Sequence, residues 1–350
     1  MTTALQGAKS PEVVERADLN GFGVEWMDAS RLIVSRREML YEIRDGEAPR
    51  MIARFPQPRW RRTAGAARLG QRALRYMFYN VLPLEQGGLF TTFGKDVALI
   101  DEHGTVKPIG GFLNPFRVLR GGCALSPDGS ILFGEYRPNA ERSAIVLYRY
   151  WPGSDSVEVA YTFPVGAIRH VHGIYTDPYG DGQWLLAGDI GGECRILRST
   201  DGFRTHDVIG AGDESWRAVS MQFTPDAVYY GMDAEFTPNF IYRIDRKTGV
   251  RDVVQQVEGP MYYSTALGSE IYFAVTAELC PSQQGDFAAL WHIDGATGGA
   301  KRLRTFPTDG KSVHYFMPGT LDFARGDGTR PEILFRTTSL VPDNAVFAIR

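Results

Sequence analysis

Residues 170–211 carry four short apolar runs: His170-Val-His-Gly-Ile-Tyr175, Gln183-Trp-Leu-Leu-Ala-Gly-Asp189, Cys194-Arg-Ile-Leu-Arg198 and His206-Asp-Val-Ile209. Each is rich in β-branched or aromatic residues and bounded by turn formers, which reads as four strands joined by hairpins. The same pattern precedes it in Gly122-Cys-Ala-Leu-Ser126, Ile131-Leu-Phe-Gly-Glu135, Ala144-Ile-Val-Leu-Tyr-Arg149 and Val157-Glu-Val-Ala-Tyr-Thr-Phe163. It follows in Arg217-Ala-Val-Ser-Met-Gln-Phe223, Ala227-Val-Tyr-Tyr-Gly-Met-Asp233, Phe240-Ile-Tyr-Arg-Ile-Asp245 and Val250-Arg-Asp-Val-Val254. A four-strand unit recurring every ~40–50 residues is the period of a β-propeller blade.

Working outward, two further units reach the end of the chain. The last contains only Tyr315-Phe-Met-Pro318, Glu332-Ile-Leu-Phe-Arg-Thr337 and Ala345-Val-Phe-Ala-Ile349. Upstream, Leu32-Ile-Val-Ser35 and Leu89-Phe-Thr-Thr-Phe93 mark two units with less distinct borders. The expectation is an all-β chain, residues 1–350 forming a single closed propeller domain of seven four-stranded blades. Six or eight blades would also accommodate the blurred borders. Residues 11–17 (Pro-Glu-Val-Val-Glu-Arg-Ala) supply the strand missing from the last blade. Closing the ring with both chain ends protects the sheet edges.

Composition narrows the function classes. The chain has 350 residues, 43% apolar, with 38 Lys and Arg against 41 Asp and Glu and a net charge of −3. No basic excess points to nucleic acid, and the apolar fraction excludes a disordered chain. Cys123, Cys194 and Cys280 are scattered and match no metal or disulfide spacing, so they read as buried apolar residues. The start Met1-Thr-Thr-Ala-Leu-Gln-Gly-Ala-Lys-Ser10 lacks the apolar core of a signal peptide, which predicts a cytoplasmic protein. Residues 59–76 interrupt the blade rhythm. Six arginines and no acid fall between Arg59 and Arg75. A short helix there would carry Arg68, Arg72 and Arg75 on one face, suited to a membrane surface or a lipid-linked precursor.

In a blade the second strand runs antiparallel to the first, so the end of the second shares a face with the start of the first. At that position successive second strands end in Glu135, Asp189, Asp233 and Glu278, after Lys95 in an earlier unit. The first strands begin at Arg120, at Arg169, His170 and His172, at Trp216 and Arg217, at Tyr262 and Tyr263, and at His314 and Tyr315. Acids, imidazoles, guanidiniums and phenols thus gather at one channel mouth, fitting an acidic, uronate-containing glycan. Glu135, Asp189, Asp233, His170 and Tyr263 are the candidate catalytic residues. Arg120, His172, Trp216, Arg217, Tyr262, Glu278, His314 and Tyr315 are the candidate substrate contacts. Paired carboxylates favour glycoside hydrolysis. The alternative is β-elimination by His and Tyr, with an arginine neutralising the uronate. A non-catalytic glycan-binding or scaffolding propeller for polysaccharide assembly is the third reading. None of these requires a cofactor, although His170, His172 and His314 would offer ligands to a divalent metal.

One motif carries a resemblance. Ser199, Asp201 and Thr205 within Arg198-Ser-Thr-Asp-Gly-Phe-Arg-Thr-His206 resemble the Ser-x-Asp-x-Gly-x-Thr-Trp Asp-box of sialidase-type (BNR-repeat) propellers, with Phe203 and His206 at the Gly and Trp positions. The resemblance extends to BNR-like propellers associated with bacterial surface polysaccharides. It implies a hairpin between the third and fourth strands of a blade, away from the active face. Propeller-type polysaccharide lyases are similar in general plan and carry His, Tyr and Arg at the mouth.

Overall fold

The computed structural model describes residues 11–350, so the reading of Met1–Ser10 concerns residues outside those described. Seven sheets, antiparallel except for one added strand, follow one another around an axis. Counting from the N-terminus, blade 1 is built from Gly23–Met27, Arg31–Arg36, Met39–Arg44 and Arg50–Arg54. The innermost strands of blades 2 to 7 are Phe78–Pro83, Cys123–Leu125, Val171–Thr176, Ala218–Phe223, Met261–Leu267 and Thr320–Phe323. The all-β, seven-bladed propeller read from the repeat is therefore the fold.

Burial follows strand position. Ile131–Gly134, Gln183–Ala187 and Ala227–Met232 are buried along their whole length, because each second strand has neighbours on both edges and a blade against each face. The outer strand Ser156–Phe163 alternates towards solvent. The core lies between blades rather than in one centre. One cluster joins Leu132 and Leu147 of blade 3 to Ile174, Leu185 and Leu197 of blade 4. A glycine near the end of a second strand lets the next blade approach. A Cβ on Gly134 would meet Val171 at 2.6 Å.

Val13–Glu15 pairs antiparallel with Val346–Ile349 and forms the outermost strand of blade 7. Arg325–Gly326 adds a fifth strand to blade 1, running parallel to Gly23–Met27 on its axial side. The basic insertion forms two helices, Arg59–Ala64 and Arg68–Leu74, rather than one. Its expected basic face turns inward. Arg68 forms a two-pronged ion pair with Asp343 at 2.8 Å, and buried Arg72 pairs with Asp309 and donates to the Phe316 carbonyl at 2.8 Å. No helix among the described residues is long and apolar enough to cross a membrane.

The Ser199–Thr205 turn joins the third and fourth strands of blade 4. Ser199 Oγ takes the Phe203 N–H at 2.8 Å, and Asp201 takes the backbone N–H and hydroxyl of Thr205. Phe203, at positive φ, is fully buried in the core between blades 3 and 4.

Candidate functional site

The site lies at the mouth where innermost strands begin. In blade 4 the register slips by one residue between Val171 and Gly173, so His172 sits in a bulge. His170 and His172 both reach Asp189, which follows the second strand. His170 Nε2 lies 3.1 Å and His172 Nε2 2.9 Å from Asp189 Oδ1, and the two nitrogens are 3.0 Å apart. All three side chains are buried. Gly188, just before Asp189, lets the Glu193 backbone pass close by: it has a φ of +88°, and a Cβ there would stand 1.9 Å from the Glu193 carbonyl oxygen.

The outer ring nitrogens fix the chemistry. His172 Nδ1 faces the Ala218 carbonyl at 3.0 Å, and His170 Nδ1 faces the Arg137 carbonyl at 3.3 Å. A carbonyl only accepts, so each Nδ1 carries a proton, and a ring with no second proton turns its Nε2 lone pair inward. Burial holds His170 below its ordinary pKa, favouring the neutral ring. Two lone pairs and a carboxylate oxygen within 3.1 Å of one another repel unless a proton or a cation lies between them. The donor set, with each imidazole braced through its second nitrogen, could hold a divalent metal ion.

Arginines surround this cluster. Arg169 donates to Asp189 Oδ2 at 2.9 Å while remaining partly exposed. Arg217 donates to the Asp189 carbonyl at 3.1 Å and to Asp233 Oδ2 at 3.2 Å, with Glu235 3.7 Å away. Beyond it, burial pushes Asp233 well above the carboxylate range against the pull of Arg217. Burial raises Glu278 as well, although Tyr262 donates its hydroxyl to Glu278 Oε1. Asp233 Oδ1 and Glu278 Oε2 are buried and find no partner among the described residues.

The other expected residues go elsewhere. Glu135 is wholly enclosed and bonded within its own neighbourhood by Asn114, Arg137, Tyr148 and the Val146 N–H, so it is a structural acid. Trp216 is covered by Arg251, 3.7 Å over its ring, and stacks with Tyr230, leaving no face for a sugar. His314 and Tyr315 are exposed on the helix Val313–Phe316 that precedes blade 7, so the third group beside the two histidines is Asp189 and not His314. Arg120 reaches down the channel to Glu25 at 2.7 Å, and with Tyr263 it lines the opposite end. Lys95 is exposed in a hairpin.

Two residues were missed. Tyr136, one position past Glu135, places its ring 4.1 Å from that of His170, and burial beside Asp189 and Asp233 pushes its hydroxyl up to about 12. Its signal was adjacency to an acidic strand end. Arg75, left-handed at the end of the insertion, exerts its charge on Tyr79, Tyr136 and Tyr263. Nothing in its spacing separates it from the other insertion arginines.

No family model matches the chain, and no curated protein matches its sequence. Solved structures do. Over 97% of its length the chain is similar to a catalytically inactive virginiamycin B lyase from Staphylococcus aureus with quinupristin, at 13% identity and a TM-score of 0.62, covering 99% of that chain. An oligogalacturonate lyase in complex with manganese is similar over 97% of this chain and 90% of its own, at 12% identity and a TM-score of 0.62. The oligogalacturonate lyase of Vibrio parahaemolyticus gives 11% identity and a TM-score of 0.59 over 97% and 91% of the two chains. At these identities the likeness establishes the fold.

Proposed function

We propose that this propeller is a divalent-cation-assisted lyase that cleaves a short uronate-containing glycan by β-elimination at the mouth around Asp189. The observation that carries the reading is the convergence of His170 Nε2, His172 Nε2 and Asp189 Oδ1, three acceptors within 3.1 Å of one another. A bound cation would draw electron density from the substrate carboxylate and so acidify the adjacent carbon-bound proton. The partly exposed Arg169, on Asp189 Oδ2, and Arg217, on Asp233 Oδ2, add positive charge beside the position of that substrate carboxylate. Glu278, raised by burial and with Oε2 unengaged, takes the proton. That electron pair forms the carbon–carbon double bond as the glycosidic C–O bond breaks. Tyr136 keeps its proton at neutral pH and delivers it to the leaving oxygen. That lyases occur among the similar propellers, one of them in complex with manganese, supports the reading.

A second reading has its own observation. Asp233 and Glu278 are both raised and each holds one unengaged oxygen, the pairing of acid groups that glycoside hydrolysis uses. Incubation with uronate glycans and Mn²⁺ separates the two, because only elimination yields an unsaturated product absorbing in the near ultraviolet. We expect that absorbance to appear and to fall at least about 100-fold with a chelator or in Asp189→Asn. New reducing ends without absorbance would establish hydrolysis instead. Binding with no product would overturn both.

A further inference from the structure

Opposite the site described above, the innermost strands of all seven blades end around a second cavity of about 370 Å³. Trp26 near the end of Gly23–Met27, Thr176 at the end of Val171–Thr176 and Phe323 at the end of Thr320–Phe323 lie on its wall. This is the far mouth of the channel. The cavity owes its character to the added strand Arg325–Gly326, whose parallel pairing with Trp26 and Met27 carries Arg325 into the wall.

Arg325 is braced on one side only. Its Nη1 donates to the Cys123 carbonyl at 3.1 Å and approaches Asn80 Oδ1 at 3.4 Å. Its Nε and Nη2 donate to nothing among the described residues, and no carboxylate pairs with it. These two atoms form the edge of a guanidinium that grips a carboxylate with two parallel hydrogen bonds. The cavity wall contains no Asp or Glu. The only other cation there, Arg120, is already bound to Glu25. Two more donors lack partners: the Ser220 hydroxyl, on a residue 3% exposed, and the buried Trp26 indole N–H. Ser264 and Thr265 add hydroxyls. A wall with one oriented cation, no competing acid, several hydroxyls and an aromatic ring suits a polyhydroxylated carboxylate of one or two sugar units.

We infer that the far mouth is a second ligand site, for a small sugar acid held by the Nε–Nη2 edge of Arg325. The inference rests on this cavity and stands whatever reaction the other mouth performs. Glucuronate is the probe, with glucose as its carboxylate-free counterpart. In protein labelled at its tryptophan nitrogens, with the Trp26 signal assigned through Trp26→Phe, glucuronate shifts the Trp26 indole resonance and glucose does not. Arg325→Lys keeps a cation that can reach Cys123 but loses the planar edge, and glucuronate binding weakens roughly tenfold or more. The melting temperature of that variant without ligand verifies that it is folded. Ser220→Ala, a smaller change, weakens binding in the same direction. Asp189→Asn leaves the Trp26 response intact, which separates this site from the first. A Trp26 resonance unmoved by glucuronate, or moved equally by glucose, would overturn the inference. So would a folded Arg325→Lys protein with undiminished binding.

Discussion

Asp233 is nearly fully enclosed, and burial holds its proton on against the attraction of Arg217. Its folded-state pKa therefore lies above that of the unfolded chain. Stability from this group is complete below about pH 4 and is lost as the pH rises through the folded value. Asp233→Asn keeps an acceptor for Arg217 Nε and has nothing to ionise. Its melting temperature should gain on the parent's between pH 4 and pH 8, and equal differences at both would contradict the buried-acid account. The same residue shows how far side-chain roles were legible. The position of Asp189, Asp233 and Glu278 at the mouth was legible because they recur where second strands end. Glu135 occupies the same place, yet Arg137, Tyr148 and Asn114 enclose it. A slot in a repeat gives the position of a Cα but not the identity of the atoms around the carboxylate. Trp216 failed for the same reason, since Arg251 comes from an outer strand of its own blade, 35 residues further along the chain.

Elements were legible where hydrophobic period and turn chemistry agreed, and obscured where they diverged. Blades 3 to 6 have strands of apolar residues punctuated by turn formers, such as Pro127-Asp-Gly129 in blade 3 and Lys247-Thr-Gly249 in blade 5. The innermost strands Gly23–Met27 and Phe78–Pro83 contain Glu25 and Asn80, polar residues that face the channel and blur the pattern. The insertion read as one helix splits at Gly65–Ala67, and docking against Asp343 and Asp309, distant in sequence, decides which arginines face inward. The closing strand was legible from a blade lacking one strand, and its energetics are testable. Beyond the strand's own ladder, backbone bonds join Glu12 N–H to the Arg350 carbonyl, Arg350 N–H to the Glu12 carbonyl and Arg16 N–H to the Val346 carbonyl. At about 1 kcal/mol each, their loss predicts a destabilisation of about 3 kcal/mol or more on deleting residues 1–16. Exposure of the Val346–Ile349 edge should also promote association. Denaturant unfolding and sedimentation measure the two effects, and a truncated chain as stable as the parent would show that the ring does not depend on this latch.

At the scale of the whole molecule, the ring makes one blade's ligand a matter for all seven. His170, His172 and Asp189 belong to the two inner strands of blade 4, yet His172 is braced on Ala218 of blade 5, and Arg217, next to that alanine, spans Asp189 and Asp233. The hydrophobic clusters likewise join each blade to the next, so no blade holds a core of its own. A cation that binds only the native arrangement adds about 2.7 kcal/mol of stability at a hundred times its dissociation constant. For 350 residues unfolding together, that corresponds to a rise of roughly 4 °C in melting temperature. Manganese is therefore expected to move the entire calorimetric transition upward as one peak and to leave Asp189→Asn unmoved. A peak that splits, with only part of the heat displaced, would mean that blades unfold separately despite the closed ring. A shift retained in Asp189→Asn would place the cation somewhere other than between the two histidines.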